Sequence, residues 1–167
     1  MVTPPFGASA DMVMAPIVSV GAVVWKGDRV LLIRRGQPPA KGTWSLPGGR
    51  QDLGETVFEA ACREVLEETG VTIHIRDIAA VVDLIERDGT VVRHHFTVID
   101  VSADWLSGEA VAGDDAEAVA WADPGRLDNY RLTEEVKRVI AISAGQPTPG
   151  KPAAFASSPA RSVRPIE

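Results

Sequence analysis

The chain has 167 residues, 45% hydrophobic and 24% charged, ordinary proportions for a globular protein long enough to bury one core. Its 23 acidic residues outnumber 17 basic ones for a formal charge of -6, which argues against a general nucleic-acid-binding surface. The single cysteine, Cys62, rules out an intramolecular disulfide, and no run approaches the ~18–20 apolar residues that cross a bilayer. A cytoplasmic location is expected, with neither nucleic acid nor membrane as partner.

Residues 1–16 carry three prolines and little periodicity and are expected to form a flexible leader. "IVSVGAVVW" from Ile17 and "RVLLIRR" from Arg29 are rich in β-branched and aliphatic residues, with "KGD" between them as a hairpin turn. Residues 55–69 carry the strongest helical pattern. Phe58, Ala61, Cys62, Val65 and Leu66 recur at helical spacing as one apolar stripe, which predicts a buried face. Thr56 with Glu59 forms a capping-box pattern, and Gly70 is placed to end the helix.

"VTIHIR" from Val71 alternates apolar and polar residues as a half-buried strand does. "AAVVDLIER" and "VVRHHFTVIDV" flank Asp88-Gly89, a hairpin signal. His94 and His95 are neighbours on a strand, point to opposite faces and cannot share one metal ion. "EAVAWAD" reads as a further strand, and "TEEVKRVIAIS" as a helix capped by Thr133 with Val136, Val139 and Ile140 buried. From Gly145 onward, five prolines among small and polar residues predict a disordered tail. One α/β domain over residues 17–144 is expected, an α/β sandwich flanked by leader and tail.

Glu64, Glu67 and Glu68 crowd one sector of the first helix, predicted to lie opposite the apolar stripe. Like charges at this spacing destabilise a helix, and the macrodipole disfavours anions in its second half. Either the three are a solvated face, with Glu59–Arg63 as an ion pair, or a strong cation sits among them. The glycine turn of "LPGGRQDLGE" just upstream brings backbone groups beside these carboxylates. Carboxylates, carbonyls and substrate phosphates are the oxygen ligands that Mg²⁺ takes. Arg34, Arg35 and Arg50 lie near the same turn, either to hold phosphates or as exposed surface.

Gly49, Glu55, Arg63, Glu64, Glu67, Glu68 and Gly70, with aliphatic Val65 and Val71 between and after them, resemble the Nudix box, G-x5-E-x7-R-E-U-x-E-E-x-G-U. Seven fixed residues at ~5–7% usage each would coincide at about one start in 10⁹. The resemblance implies an α/β/α sandwich around a mixed β-sheet and hydrolysis of a nucleoside diphosphate linked to another group. It also implies Glu64, Glu67 and Glu68 as ligands, with the Gly48 carbonyl, of two or more Mg²⁺ or Mn²⁺ ions. Arg63 and Glu55 would orient these carboxylates. The general base would be Glu64 or a carboxylate of "GDDAEA", Asp115 before Glu117, unless that segment is simply a polar turn.

"KGTWSLPGGRQDLGET" and "AGDDAEAVAW" are similar to the bacterial ADP-ribose pyrophosphatase-like group. A small nucleotide, ADP-ribose first, is therefore the expected substrate. The alternatives are a nucleoside triphosphate pyrophosphohydrolase and a nucleotide-binding module without catalysis. Dimerisation is common among such proteins.

Overall fold

The structure, a computed structural model, describes residues 15–38, 40–113 and 115–145. The expected leader and Pro-rich tail fall almost wholly outside these residues. In chain order the elements are β1 (Ile17–Lys26), β2 (Arg29–Arg35), β3 (Trp44–Ser45), β4 (Gly48–Arg50), α1 (Val57–Thr69), β5 (Thr72–Asp88), β6 (Val91–Ser107), β7 (Ala116–Ala122), a 3₁₀ segment (Pro124–Tyr130) and α2 (Glu134–Gly145).

The strands form one mixed sheet in the order β3-β2-β1-β6-β5, with β4 also pairing with β1 and β7 with β2. β1 runs parallel to β6 from Ile17–Phe96 to Trp25–Asp104, and antiparallel to β2 and β4. Strand alternation then sorts β1 to two sides. Val20, Ala22 and Val24 pack with Leu31, Val101 and Ala103 against Ala60, Ala61 and Val65 of α1. Val23 and Trp25 pack with Val30 and Leu32 against Val139 and Ile140 of α2. The sheet therefore carries a helix on each face, each covering one apolar layer.

Both helix caps form as their residues dictate. Thr56 accepts from Glu59 N while the Glu59 carboxylate accepts from Thr56 N, and Gly70 closes the helix in the left-handed region at φ 69°. Thr133 Oγ1 accepts from Val136 N at 3.3 Å at the start of α2. Behind α2 a buried polar chain crosses the core: Trp25 Nε1 donates to Ser143 Oγ at 2.9 Å, and Ser143 Oγ lies 2.6 Å from Ser102 Oγ.

Three features differ from the sequence reading. The apolar stripe on α1 is rotated: Phe58 and Leu66 are 39% and 49% exposed, while Ala60, Ala61, Val65, Glu68 and Thr69 are buried. Small alanines let the helix lie close to the sheet, which puts the larger side chains on its flanks. The segments "VTIHIR" and "AAVVDLIER" are a single 17-residue strand, β5, whose register shifts between Ile75 and Asp77 and again between Ile78 and Ala80. These bulges absorb the polar Arg76-Asp77 interruption, and Arg76 Nε donates to Asp104 Oδ2 at 2.8 Å. The β5–β6 turn is Gly89-Thr90, one residue beyond the expected pair, since Asp88 pairs with Val91.

Candidate functional site: an acidic cavity and an apolar cavity on either side of one short strand

The glycine turn expected at "LPGGR" contains β4, a three-residue strand held against β1 with Gly48 opposite Gly21. Only glycine fits at position 48, where φ is 154° and a Cβ would stand 2.1 Å from the Val20 carbonyl oxygen. This tight pairing brings the Gly48 N–H to Glu68, whose Oε2 accepts at 2.8 Å.

Beside β4 lies an acidic cavity of about 420 Å³ lined by Gly48, Gly49, Glu64, Glu68, Asp115 and three polar neighbours, Arg35, Gln37 and Arg50. The rotation of α1 explains its character. Glu68 is not on an outward face but buried, at 9% exposure. Burial pushes its carboxyl up to about 7; the charges of Glu64 and Asp115 add to the rise, while the Gly48 N–H and Arg35 oppose it. Glu64 is similarly sheltered, its side chain 15% exposed, whereas Glu67 is 59% exposed and turned away.

Arg63 gathers the acidic side chains. Its Nε and one terminal nitrogen donate to the two oxygens of Glu55 at 2.7 and 2.9 Å, a bidentate pair. The other terminal nitrogen donates to Glu64 at 2.8 Å and Glu67 at 3.1 Å, and a further bond reaches the Arg50 carbonyl at 3.0 Å. Hydrogen bonds from Arg63 hold the Glu55 carboxyl below its usual range, helped by the Asp52 N–H. The i, i+4 pairing expected for Arg63 with Glu59 is absent because Glu59 is engaged in the capping box. Among the described residues, no three acidic, histidine or cysteine side chains converge on a single point. Glu64, Glu68 and Asp115 instead surround the cavity, with Glu67 drawn out to Arg63.

The arginines divide by strand alternation. Arg34 and Arg35 are adjacent on β2 and point oppositely. Arg35 lines the cavity, its Nε buried with no hydrogen-bond partner among the described residues. Arg34 lies outside it, donating to the Gly42 carbonyl at 3.1 Å and lying 3.5 Å from Glu117. Lys41 also approaches Glu117, at 3.6 Å, so of the acidic pair in "GDDAEA" weighed above, Asp115 borders the cavity and Glu117 does not. His94 and His95 are directed to opposite faces, near Glu86 and Asp83 respectively.

A second cavity, of about 520 Å³, shares Arg35, Gly48, Gly49 and Arg50 with the first, so β4 is the wall between them. Val82, Leu84, Phe96, Val98, Val136 and Val139 give it apolar sides. Asp100 and Glu135 contribute carboxylates. The sequence reading did not single out this cavity. Its one sequence signal was an aspartate, Asp100, set inside the apolar run "FTVIDV".

Residues 15–141 match the family model described as the NUDIX domain. A curated ADP-ribose pyrophosphatase of Methanocaldococcus jannaschii is 37% identical over 120 residues, 72% of this chain and 69% of that protein. A putative 8-oxo-dGTP diphosphatase of Bacillus subtilis is 30% identical over 124 residues, 74% of this chain and 76% of its own length. Among solved structures, a MutT NUDIX hydrolase from Burkholderia pseudomallei superposes with a TM-score of 0.67 at 32% identity, covering 76% of this chain and 97% of that one. With Gly49, Glu64 and Glu68 of the box lining one acidic cavity on an α/β/α sandwich, this chain belongs to the Nudix hydrolase family.

Proposed function

We propose that the protein hydrolyses ADP-ribose to AMP and ribose 5-phosphate, using Mg²⁺ or Mn²⁺ held by Glu64, Glu67, Glu68 and the Gly48 carbonyl. The carrying observation is the pairing of an acidic cavity with an apolar one across β4, sharing Arg35 and Arg50. A pyrophosphate has charge to be neutralised and a nucleoside has a flat apolar base, and both demands are met side by side. The similarity to the archaeal ADP-ribose pyrophosphatase supports the choice of substrate.

The donor set fits a divalent cation. Of the proposed ligands, Glu64 and Glu68 border the acidic cavity together with Asp115, and Glu67 would have to turn from Arg63 to join them. Glu68 receives one backbone N–H bond against a large desolvation cost. When bound, such an ion supplies charge neutralisation on the phosphates and makes water a better nucleophile near neutral pH. Within the chain, Arg35 and Arg50 bind phosphate oxygens. Arg63 and Glu55 hold Glu64 and Glu67 in place, and Glu64 or Asp115 takes the proton from the attacking water. The water oxygen bonds to one phosphorus as the bridging P–O bond breaks, and the bridging oxygen leaves on the other phosphate.

Arg63→Lys tests the positioning role. Lysine keeps the charge but cannot make the bidentate bond to Glu55 while also reaching Glu64 and Glu67. A 10- to 100-fold loss of turnover is expected, on the scale of supporting-shell substitutions at metal sites. Metal affinity, measured by calorimetry, should fall with it; unchanged turnover and affinity would remove Arg63 from the site.

The similarity to the Bacillus 8-oxo-dGTP diphosphatase supports a second reading, conversion of a nucleoside triphosphate to monophosphate and pyrophosphate. A Mg²⁺-dependent hydrolysis panel separates the two. AMP and ribose 5-phosphate from ADP-ribose support the first reading, pyrophosphate from 8-oxo-dGTP the second, and turnover of neither would refute both.

A further inference from the structure

Asp100 is an anomaly in the apolar cavity. It is 6% exposed, its carboxylate lines the cavity, and among the described residues no hydrogen bond or ion pair reaches that carboxylate. A largely buried carboxylate that no protein donor reaches is costly, and its oxygens are not among the side-chain atoms sealed from solvent, so a donor can reach them from the cavity. Burial pushes this group up to about 6, Glu135 adding to the rise and Arg138 opposing it. Nothing in the phosphate chemistry proposed above uses it.

The strand beside it makes room for this side chain. Gly21 pairs with Asp100 across the parallel β1–β6 ladder, and a Cβ at Gly21 would stand 2.1 Å from Asp100 Oδ1. The carboxylate thus lies over bare backbone, in a cavity that Glu135, Val136 and Val139 of α2 also line. Arg35 and Arg50 belong to the wall shared with the acidic cavity. Beside Asp100 and Glu135 an anion is therefore disfavoured, and a metal ion finds mostly apolar walls instead of further oxygen ligands. A flat, largely apolar group with an N–H donor on its edge satisfies both the walls and the acid.

We propose that Asp100 is a specificity-determining residue that accepts a hydrogen bond from the exocyclic amino group of a purine base seated in the apolar cavity, with Gly21 as its positioning residue. The proposal rests on the reading of a nucleotide substrate and names the part of the nucleotide that is read. A site built to bond a polar group rejects the analogue lacking it, because its own buried group is left unpaired.

The test is equilibrium binding by calorimetry in Mg²⁺, so that it does not depend on turnover. AMP is compared with purine riboside 5′-monophosphate, which carries hydrogen in place of the 6-amino group. GMP is compared with IMP, which lacks only the 2-amino group. In the wild-type protein one of the two pairs is expected to differ by about 10- to 100-fold, the range of a hydrogen bond to a charged group. The pair that differs tells adenine from guanine.

In Asp100→Leu the ratio should fall to within about twofold. Gly21→Ala should do the same by displacing the carboxylate while position 100 remains an aspartate. Wild-type ratios within twofold for both pairs, no binding of AMP or GMP, or a preference that survives in both variants would each overturn the proposal. Failure of the hydrolysis panel with these preferences intact would instead count against the proposed reaction alone.

Discussion

Glu68→Gln is expected to lower turnover by on the order of 10³ or more, about 4 kcal/mol of barrier, while the metal-free protein becomes more stable. The two effects have one cause. Glu68 is nearly buried and its carboxyl is pushed up to about 7, chiefly by burial. In the absence of a cation the folded state therefore holds a desolvated charge at neutral pH and above. Glutamine keeps an oxygen to accept the Gly48 N–H, bonded at 2.8 Å in the native chain, and removes the charge. Loss of the charge relieves the fold but, at the proposed metal site, would withdraw a ligand from the ion that would neutralise the phosphates. Steady-state kinetics, Mg²⁺ calorimetry and thermal melting in chelator check all three consequences. A variant with turnover within a few-fold of wild type and intact metal affinity would disprove the metal role of Glu68.

Asp100→Asn should alter the pH dependence of stability. The carboxyl titrates near 3.8 when free and at about 6 in the folded chain, so between these values the folded state holds more proton than the unfolded one. Stability then falls as pH rises. The destabilisation is complete above the folded value and absent below the unfolded one. A shift of this size corresponds to on the order of 3 kcal/mol. The difference in unfolding free energy between Asp100→Asn and wild type should therefore grow by about that amount between about pH 3 and about pH 7 and then level off. Denaturant titrations of both proteins across this range supply the measurement. Parallel pH profiles would mean that the Asp100 carboxyl is not desolvated in solution.

Both predictions concern carboxylates whose burial the sequence conceals in different ways. Box spacing identifies Glu68 as a residue of interest, but helical periodicity places it on a solvent face because Phe58 and Leu66 outweigh the alanines. Packing distance decides otherwise: Ala60 and Ala61 let the helix approach the sheet, and that rotation carries Glu68 inward. Asp100 is harder still to foresee, since its setting depends on Gly21 in another strand, some eighty positions earlier in the chain, and on α2. Local chemistry was easier to read. The Thr56–Glu59 box, the Gly70 cap and the turn between β1 and β2 are set by neighbouring residues, and they form as expected. β3 and β4 have two and three residues, too few for periodicity to register, although β4 is the strand that divides the two cavities.

The Trp25–Ser143–Ser102 chain indexes α2 along its own axis. Ser143 lies on the same face as Val136, two turns away, and its hydroxyl meets both an indole N–H and a second hydroxyl in the core. Slipping the helix by one residue would bring Ile142 or Ala144 to that point and leave two buried polar groups unpaired, at about 1–3 kcal/mol each. Valines alone would tolerate such a slip far better, because apolar packing is weakly directional. The placement of Glu135, Val136 and Val139 along the cavity wall is thus gauged by a serine at the far end of the same helix.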